Sequence, residues 1–352
     1  MYGFFYPCIR LFSEVRMLIR QELEEREDRM LSPFASRSAK SRGRERGEEE
    51  CDIRTAYMKD RDRIVHCKAF RRLKDKTQVF LSPQGDHYRT RMMHTLEVSQ
   101  TARTVAKCLR LNEDLVEAIA LGHDLGHTPF GHAGERALNE ICPHGFKHNR
   151  QSLRIVSRLE KNGQGLNLTW EVRDGILNHG TRDMPSTLEG QVVRFCDKIS
   201  YIHHDMDDGE RAGLLREEDI PGHLRALLGN STRERLNTFI HDIVQNSEGR
   251  DSICMSDEIG GAMFELRDFM FRNLYTNEIA KSEESKARLM ILQLYRYYAE
   301  NIERLPEDYY RMISEDGEDP AIVVCDYIAG MTDQYSRHIF SDLYIPASWS
   351  KL

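Results

Sequence analysis

The sequence contains no C-x-x-C pair, although its eight cysteines are spread from Cys8 to Cys325. Structural zinc-thiolate sites and dithiol redox sites commonly use such pairs, and disulfide frameworks belong mainly to small secreted domains. The wide cysteine spacing therefore predicts reduced, mostly buried thiols rather than a disulfide-stabilised or zinc-thiolate protein.

Long apolar stretches are also absent, because no segment approaches the roughly 18 uninterrupted apolar residues that a membrane span requires. The apolar start, residues 1–12, is interrupted by Pro7 and Arg10 and lacks the small-residue cleavage pattern of a secretory signal. We therefore expect a cytoplasmic protein with no membrane partner. Met17 is a candidate for the native start, which would make residues 1–16 an upstream extension.

The chain has no excess of positive charge, since 50 Lys and Arg face 57 Asp and Glu, for a net charge of −7. Its surface as a whole does not attract nucleic acid or an anionic membrane, so any anion site must be a local basic pocket. The 14 Phe, 14 Tyr and 14 Met residues supply enough apolar material for a core, which argues against wholesale disorder.

β-Branched alternating runs are nearly absent, whereas helical periodicity extends from Thr55 onward, so the sequence predicts an all-α fold. Asn112 is the expected N-cap of one helix, followed by Glu113 and Asp114 in its first turn. The segment "GLNLTWEV" fits either a short strand or a loop, and no internal repeat is visible. The polar segment 32–50 is predicted to be a solvated loop rather than a binding tail. Later helices are expected near 130–141, 147–160, 187–206, 231–246, 257–277, 284–303 and 320–336.

Histidines are concentrated in one part of the chain, with seven of the 14 between His87 and His148. The strongest constellation consists of His94, the pair His123-Asp124, and Asp197, which lies in the middle of a predicted helix. An unpaired carboxylate on an otherwise apolar helix would be costly. Two imidazoles and two carboxylates suit a divalent ion such as Mn²⁺, Fe²⁺, Co²⁺ or Mg²⁺ better than a structural zinc ion.

The predicted helix that carries Asp197 contains further candidate substrate contacts. Asp197, Tyr201 and Asp205 recur every four residues and share a helix face next to Lys198, which favours a substrate wall over a solvated surface. Phe195, Ile199 and Ile202 are expected to bury the opposite side of that helix.

His132 and Glu135 are one helical turn apart, a spacing that lets a carboxylate orient a catalytic imidazole. Arg91 lies three residues before His94, where it could bind an oxyanion or phosphate.

Four long segments resemble a known family: "RDRIVHCKAFRRLKDKTQVF", "GDHYRTRMMHTLEVSQTAR", "EAIALGHDLGHTPFGHAGERAL" and "RFCDKISYIHHD". They are similar to the HD-domain deoxyguanosinetriphosphate triphosphohydrolase family, the dNTP triphosphohydrolases, most closely over residues 54–205. The resemblance implies an all-α HD-domain fold with additional C-terminal helices. It divides the chain into an N-terminal extension of helix and polar loop (1–53), an HD core (54–210), and a C-terminal helical region that completes the pocket and makes oligomer contacts (211–352).

The resemblance also implies an activity, the hydrolysis of a dNTP to deoxynucleoside and inorganic triphosphate through cleavage at the α-phosphorus. By match, the metal ligands are His94, His123, Asp124 and Asp197, and the catalytic residues are His132, Glu135 and Arg91. Matched substrate contacts are Gln78, His148, Lys198, Tyr201, Asp205, Arg267 and Tyr275. Asn149 follows His148 where some relatives carry Glu. Some family members are tetramers or hexamers that a second nucleotide activates, and others respond to single-stranded DNA, so the resemblance implies a homo-oligomer.

Other classes remain open at this point. Another HD phosphohydrolase or phosphodiesterase would use the same metal ligands, although the long matched segments disfavour it. A non-catalytic regulator that binds nucleotide or single-stranded DNA is a third class, but decay of an active site usually removes a ligand and all four are present. The basic run from Arg54 to Lys76 could contact nucleic acid, but a solvated helix edge with phosphate-pocket residues is favoured.

Overall fold

The structure is a computed structural model that describes residues 9–78, 89–180, 183–275 and 278–346. Helices dominate the described residues, which form no β-strand and only two isolated bridges, Arg44 to Thr169 and Thr77 to Thr90. The predicted all-α fold is confirmed. None of the helices in the described part is both long and apolar enough to span a membrane.

The helices are numbered here in chain order. The first eight are α1 (Ile9–Met30), α2 (Ala56–Val65), α3 (Lys68–Arg72), α4 (Arg91–Cys108), α5 (Glu113–Gly122), α6 (Gly131–Ile141), α7 (His148–Arg154) and α8 (Trp170–Asn178). The others are α9 (Leu188–Arg211), α10 (Gly222–Leu228), α11 (Thr232–Ser247), α12 (Asp257–Met270), α13 (Glu278–Glu300), α14 (Glu307–Ser314), α15 (Pro320–Ala329) and α16 (Asp333–Tyr344). Single π-helical turns extend α7 over Ile155–Leu159 and α12 over Phe271–Tyr275.

Side-chain caps mark where several helices begin. The Asn112 side chain accepts a hydrogen bond from the backbone N–H of Leu115 at 3.2 Å, as the sequence predicted for the start of α5. Thr187 caps α9 in the same way, at 3.1 Å from the N–H of Gly190. These caps satisfy N–H groups that would otherwise lack partners in the first turn.

The main core surrounds α5, which packs against α2, α4, α8 and α9. Gly175 of α8 allows a close helix crossing, because a Cβ at that position would lie 2.5 Å from Cδ1 of Ile119. Buried apolar residues of this core continue from Ala35 through Leu274, so α10 to α12 share it. Helix α5 also packs against α4 and α9, and the candidate ligands lie on these three helices or at their ends.

A second apolar cluster connects the C-terminal helices to the HD region. It packs α13 against α6 and α15, with α14 covering α15. Ala137 and Leu138 of α6, and Val323 and Val324 of α15, are fully buried in it. The helix that carries His132 therefore rests on the C-terminal region. The division at residue 210 stays a prediction, although residues 215–274 join the first core and residues 287–331 the second.

The polar segment 32–50 differs from the solvated loop that was expected. It has little regular structure, but its backbone and side chains pair with buried carboxylates of the core. Glu189 accepts hydrogen bonds from the N–H and hydroxyl groups of Ser36, both at 2.9 Å, and Arg44 pairs with the fully buried Asp60. Hydrogen bonds and ion pairs with buried carboxylates attach this segment to the core. The sequence does not show which carboxylates lie next to the segment, so it could not predict this attachment.

Several helix predictions need correction in detail. The helix expected over 320–336 is two helices, because the chain turns at Gly330 between α15 and α16. The segment "GLNLTWEV" is a loop whose last residues begin α8 at Trp170, and α8, α10 and α14 were not predicted. The basic run in α2 forms ion pairs with acids of the same chain, including Arg61 with Asp114 at 2.8 Å, which supports the solvated-edge interpretation.

Candidate metal and phosphate site

Three helix ends or faces bring the four predicted ligands together. His94 lies in the first turn of α4, His123 and Asp124 follow the last residue of α5, and Asp197 lies in the middle of α9. His94 Nε2 is 3.1 Å from Asp197 Oδ1 and 4.0 Å from Asp124 Oδ2. His123 Nε2 is 3.5 Å from Asp124 Oδ1 and 3.6 Å from Asp197 Oδ1. The four side chains therefore converge on one point.

The hydrogen bonds of His123 leave one ring nitrogen available as a ligand. Its Nδ1 lies 2.6 Å from the carbonyl oxygen of Ala120, which can only accept, so Nδ1 carries the proton. Its Nε2 is buried and has no hydrogen-bond partner among the described residues. A buried ring nitrogen that faces two carboxylates fits a site for a cation, which is a proton in the metal-free protein or a metal ion, and the Nδ1–carbonyl contact is typical of metal-ligating histidines.

His94 is oriented by a neighbour that the sequence analysis missed. Its Nδ1 lies 3.2 Å from Nδ1 of His204, whose Nε2 pairs with the Glu97 carboxylate. Since that carboxylate accepts from Nε2 of His204, the Nδ1 of His204 is the acceptor for His94. The contact therefore directs Nε2 of His94 at the carboxylates of Asp197, at hydrogen-bonding distance, and Asp124.

The electrostatics of the cluster also favour a cation. Burial by itself would lower the pKa of His123, but Asp124 and Asp197 raise it to about 9. Burial would raise the pKa of Asp124, but His127, His123 and Arg91 hold it well below its usual range. The pKa of Asp197 is likewise held well below its usual range by His123 and His94, so both carboxylates are ionised and favour a bound cation.

Arg91 belongs to the same cluster, as its position on α4 predicted. Its Nη1 donates to Asp124 Oδ2 at 2.8 Å, and its Nη2 donates to the carbonyl oxygen of Gln78 at 3.3 Å. The side chain is 2% exposed and lines the cavity described below. It therefore connects the ligand cluster to the segment that carries Gln78.

His132 and Glu135 form the predicted pair on α6, with Nδ1 of His132 3.3 Å from Oε2 of Glu135. The same carboxylate also binds His148, whose backbone N–H and ring Nδ1 both lie 3.1 Å from Oε1. Burial would raise the pKa of Glu135, but the hydrogen bonds from His132 and His148 hold it far below its usual range. Glu135 is therefore an ionised carboxylate shared by two imidazoles.

A cavity of about 260 Å³ opens beside the cluster. Lys198 and Arg267 contribute positive charge to its wall, and burial together with Arg194 lowers the pKa of Lys198 to about 8. Phe264 is 48% exposed at the cavity, with the Arg267 guanidinium 5.3 Å from its ring centre. Predicted residues that line the cavity are Gln78, Arg91, His94, Asp124, His132, His148, Asp197, Lys198, Tyr201 and Arg267.

Two other predicted substrate contacts, Asp205 and Tyr275, are not among the described residues that line the cavity. Asp205 is fully buried one turn beyond Tyr201 and is not among the residues that line the cavity in the described part. Ile202 lines the cavity beside Tyr201, so the expectation that it lies on the opposite side of α9 was wrong. The side chain of Tyr275 lies outside the described residues.

Sequence reasoning overlooked two further histidines in the cluster. His127 Nε2 lies 3.2 Å from Asp124 Oδ1, and its ring stacks on His148 with centres 4.1 Å apart. His179, at the end of α8, places its Nε2 3.2 Å from Nε2 of His148. The spacing of His127, four residues after His123, was a visible signal. Nothing in the sequence near His179 marked that residue.

Comparisons with known proteins agree with this arrangement. The HD domain family matches residues 91–202, and the phosphohydrolase-associated domain family matches residues 253–342. A deoxyguanosinetriphosphate triphosphohydrolase-like protein of Caldanaerobacter subterraneus is 54% identical over 333 residues, which cover 95% of this chain and 98% of the relative. The chain belongs to the deoxyguanosinetriphosphate triphosphohydrolase-like family of HD-domain proteins.

Further relatives support the same assignment. A protein of the same name from Clostridium perfringens is 50% identical, with 94% of this chain and 98% of the relative covered. A solved phosphohydrolase structure from Bacteroides thetaiotaomicron shares the fold at a TM-score of 0.50 and 18% identity, covering 81% of this chain and 68% of that one. From its HD domain and its relatives, the chain is an HD-domain phosphohydrolase with a His/Asp cluster that could hold a divalent metal ion.

Proposed function

We propose that this protein hydrolyses deoxynucleoside triphosphates to deoxynucleoside and inorganic triphosphate. The observation that carries the proposal is the cavity wall, where a His/Asp ligand cluster and three cationic side chains, Arg91, Lys198 and Arg267, share one chamber. A triphosphate needs both a cation and positive side chains to balance its charge. Its chemistry therefore fits this wall better than that of an uncharged substrate.

His94, His123, Asp124 and Asp197 would hold a divalent ion, for which Mn²⁺, Mg²⁺, Co²⁺ and Fe²⁺ all suit the mixed nitrogen and oxygen donors. When bound, such an ion supplies Lewis-acid polarisation of a phosphate oxygen and activation of water. Arg91 stabilises the cluster through Asp124 and presents its guanidinium to the α-phosphate side of the cavity.

His132 moves the proton at the ester oxygens of the α-phosphate, because it is exposed to the cavity and its Nδ1 is held by Glu135. An ionised carboxylate that fixes one ring nitrogen leaves the other nitrogen to exchange a proton with substrate or water. Cleavage at the α-phosphorus breaks the bond to the sugar oxygen, so that oxygen must gain a proton as the deoxynucleoside leaves.

The remaining matched residues would bind the rest of the nucleotide. By the family match, Lys198, Tyr201 and Arg267 would contact the phosphates, and Gln78 and Tyr275 would contact the deoxyribose, whereas Asp205, also matched to the deoxyribose, is not among the described residues that line the cavity. A close wall at C2′ would exclude ribonucleotides. By resemblance we also propose a cytoplasmic homo-oligomer, a tetramer or a hexamer, that responds to a second nucleotide or to single-stranded DNA.

The test is to incubate the purified protein with each dNTP, singly and mixed, with Mn²⁺ or Mg²⁺, and to separate the products by ion-pair chromatography. We expect deoxynucleoside and intact triphosphate, with loss of both in His132→Ala. Monophosphate or diphosphate products would instead assign the protein to another class of HD phosphohydrolase. Nucleotide binding without any product would favour a regulator. GTP turned over as fast as dGTP would contradict the wall at C2′.

A further inference from the structure

Two buried cysteines that are far apart in the sequence meet where the end of α6 lies against α15. Cys142 directly follows the last residue of α6, and Cys325 lies in the middle of α15. Both are free thiols in the second apolar cluster, with exposed fractions of 5% and 4%. Neither takes part in the proposed hydrolysis, so the pair calls for a separate explanation.

The contacts of Cys142 place its sulfur on the face of α15 that carries Cys325. Its Sγ lies 3.9 Å from the carbonyl oxygen of Ala321. Cys325 is one helical turn after Ala321, and a helical side chain leans toward the N-terminus of its helix, so the Cys325 thiol lies over the same turn. The two thiols accordingly form a hydrogen bond with each other. Two sulfur atoms in direct contact need only a small shift to form a covalent bond.

The surroundings of the pair give the two sulfurs different reactivity. The hydrogen bond from Cys325, aided by the backbone N–H and the charge of His144, lowers the pKa of Cys142 to about 6 against the opposing effect of burial. The same hydrogen bond and burial raise the pKa of Cys325. Cys142 is therefore the nucleophilic thiolate and Cys325 the thiol that resolves its oxidised form. Burial raises the pKa of Cys67 and Cys196 and leaves both unreactive.

From this geometry we infer that Cys142 and Cys325 form a redox-active dithiol, which a peroxide oxidises to a disulfide between the end of α6 and α15. Burial admits a peroxide, which is little larger than water, and excludes a bulky disulfide such as oxidised glutathione. Since α6 carries His132 and Glu135, the disulfide restrains that pair relative to the C-terminal helices. The inference goes beyond the proposed function and does not depend on it.

The oxidation is balanced by the peroxide alone. The Cys142 thiolate attacks one peroxide oxygen, an S–O bond forms, and the O–O bond breaks. The hydroxide that leaves takes up the proton that Cys142 lost and becomes water. The sulfur of Cys325 then attacks Sγ of Cys142, so that the S–S bond forms and the S–O bond breaks. The Cys325 proton leaves with that oxygen as a second water, and both thiols have been oxidised while the peroxide has been reduced.

The test is to treat the reduced, purified protein with hydrogen peroxide, alkylate the remaining thiols, and analyse unreduced peptides by mass spectrometry. We expect one cross-linked pair that contains Cys142 and Cys325 and is lighter than the two free peptides by two hydrogen atoms. The cross-link should raise the midpoint of thermal unfolding, because it closes a long loop in the unfolded chain. Cys142→Ser and Cys325→Ser should lose both effects.

Cys108→Ser is the matched control, because Cys108 is an exposed thiol at the end of α4, and this variant should keep the cross-link. Oxidised glutathione at the same concentration should form the cross-link at least about 10-fold more slowly, because it cannot reach a buried thiolate. Electrophoresis without reductant should show the oxidised protein as a single chain, since a disulfide between two chains would contradict the pairing.

Recovery of both cysteines as alkylated peptides after peroxide treatment would overturn the inference, and so would a sulfinic acid on Cys142 without the cross-link. If Cys142→Ser does not fold by circular dichroism, Cys142→Ala provides the same comparison, and the peptide analysis of the native protein needs no variant. Because the readout is the disulfide itself, failure of dNTP hydrolysis leaves this result intact, and an active enzyme without the cross-link contradicts only this inference.

Discussion

At the scale of the residue, Lys198 places a positive charge on the cavity wall, where it can contact an anionic substrate. It follows the ligand Asp197 on α9, and Arg194 and Arg267 lie near enough to lower its pKa. Lys198, Arg267 and Arg91 line the same cavity, where their positive charges repel one another, and a polyanion relieves that repulsion. The repulsion raises the free energy of the substrate-free protein and therefore favours the binding of a polyanionic substrate.

We expect Lys198→Ala to raise KM for a dNTP by about 10- to 100-fold, because a charge-assisted contact to phosphate contributes roughly 1.5–3 kcal/mol. Steady-state kinetics for the native protein, Lys198→Ala and Lys198→Arg would measure the effect, and Lys198→Arg should keep most of the affinity. The number of manganese ions bound per protein chain should not change in either variant. An unaltered KM in Lys198→Ala would show that this lysine does not contact the phosphates of the substrate.

At the scale of the element, the start of α16 holds two loops of the site. The Asp333 carboxylate accepts hydrogen bonds from the N–H of Thr77 at 3.1 Å, from the Thr77 hydroxyl, and from the N–H of Phe130 at 2.9 Å. Thr77 precedes Gln78, and Phe130 lies just before α6, which carries His132. The buried ammonium of Lys76 adds a second connection, to the carbonyl oxygens of His127 and Ala329. The C-terminal helices therefore help to shape the site.

Asp333→Ala should lower the free energy of unfolding by about 2–4 kcal/mol, because it leaves several buried donors without an acceptor. It should also lower kcat for dNTP hydrolysis, since both loops lose their anchor. Chemical denaturation and kinetics would measure the two effects. Asp342→Ala, at the exposed end of the same helix, is the control and should change stability by less than about 0.5 kcal/mol. Equal free energies of unfolding and equal kcat values in the two variants would contradict the proposal that Asp333 anchors the two loops.

The turn after α5 depends on a close approach by α7. A Cβ on Gly126 would lie 2.2 Å from the backbone nitrogen of Ser152 and 2.3 Å from the carbonyl oxygen of His148. The Ser152 hydroxyl donates to the carbonyl oxygen of His123 at 2.7 Å and accepts from the N–H of Gly126 at 2.8 Å. This contact positions the His123-Asp124 pair relative to His148.

Gly126→Ala should therefore destabilise the protein by about 3 kcal/mol or more, since rigid backbone atoms would have to move. The midpoint of thermal unfolding and the number of manganese ions bound per chain would both measure the change. We expect both to fall, because the ligands of the metal site separate. Gly47→Ala is the control, because a Cβ there meets nothing within 4 Å. Native-like metal content and stability in Gly126→Ala would show that the turn can adjust.

At the scale of the whole molecule, the ligands come from α4, α5 and α9, which belong to the main core. A metal ion that binds only when these helices are assembled must stabilise the folded protein. The gain is about 2.7 kcal/mol when the metal concentration is 100 times its dissociation constant. Bound metal is therefore expected to contribute to the global stability as well as to the site.

Mn²⁺ should raise the midpoint of thermal unfolding, and a chelator should lower it, in differential scanning calorimetry at fixed protein concentration. His123→Ala removes a ligand and should abolish most of the shift, whereas the exposed His144→Ala should retain it. A midpoint that does not respond to Mn²⁺ in the native protein would argue against a site assembled by the three helices.

The sequence by itself determined much of this protein. The absence of alternating runs led to the all-α fold, and the residue types and helical spacing led to His94, His123, Asp124, Asp197 and the His132–Glu135 pair. The all-α prediction is confirmed, and the His132–Glu135 prediction depends on local periodicity, because a residue three or four positions away lies on the same helix face. The roles of these site residues stay predictions. The long matched segments added the family, which the relatives confirm.

Only the tertiary structure decided which distant side chains meet. His148 and His179 are 31 positions apart and on different helices, and His204 reaches His94 across 110 positions. The anchor from Asp333 to Thr77 spans 256 positions. Helical periodicity carries no information about such pairs, because the packing of helices around the core sets their distances. The contact between His148 and His179, the orientation of His94 and the contribution of the C-terminal helices were therefore invisible until the helices were placed in space.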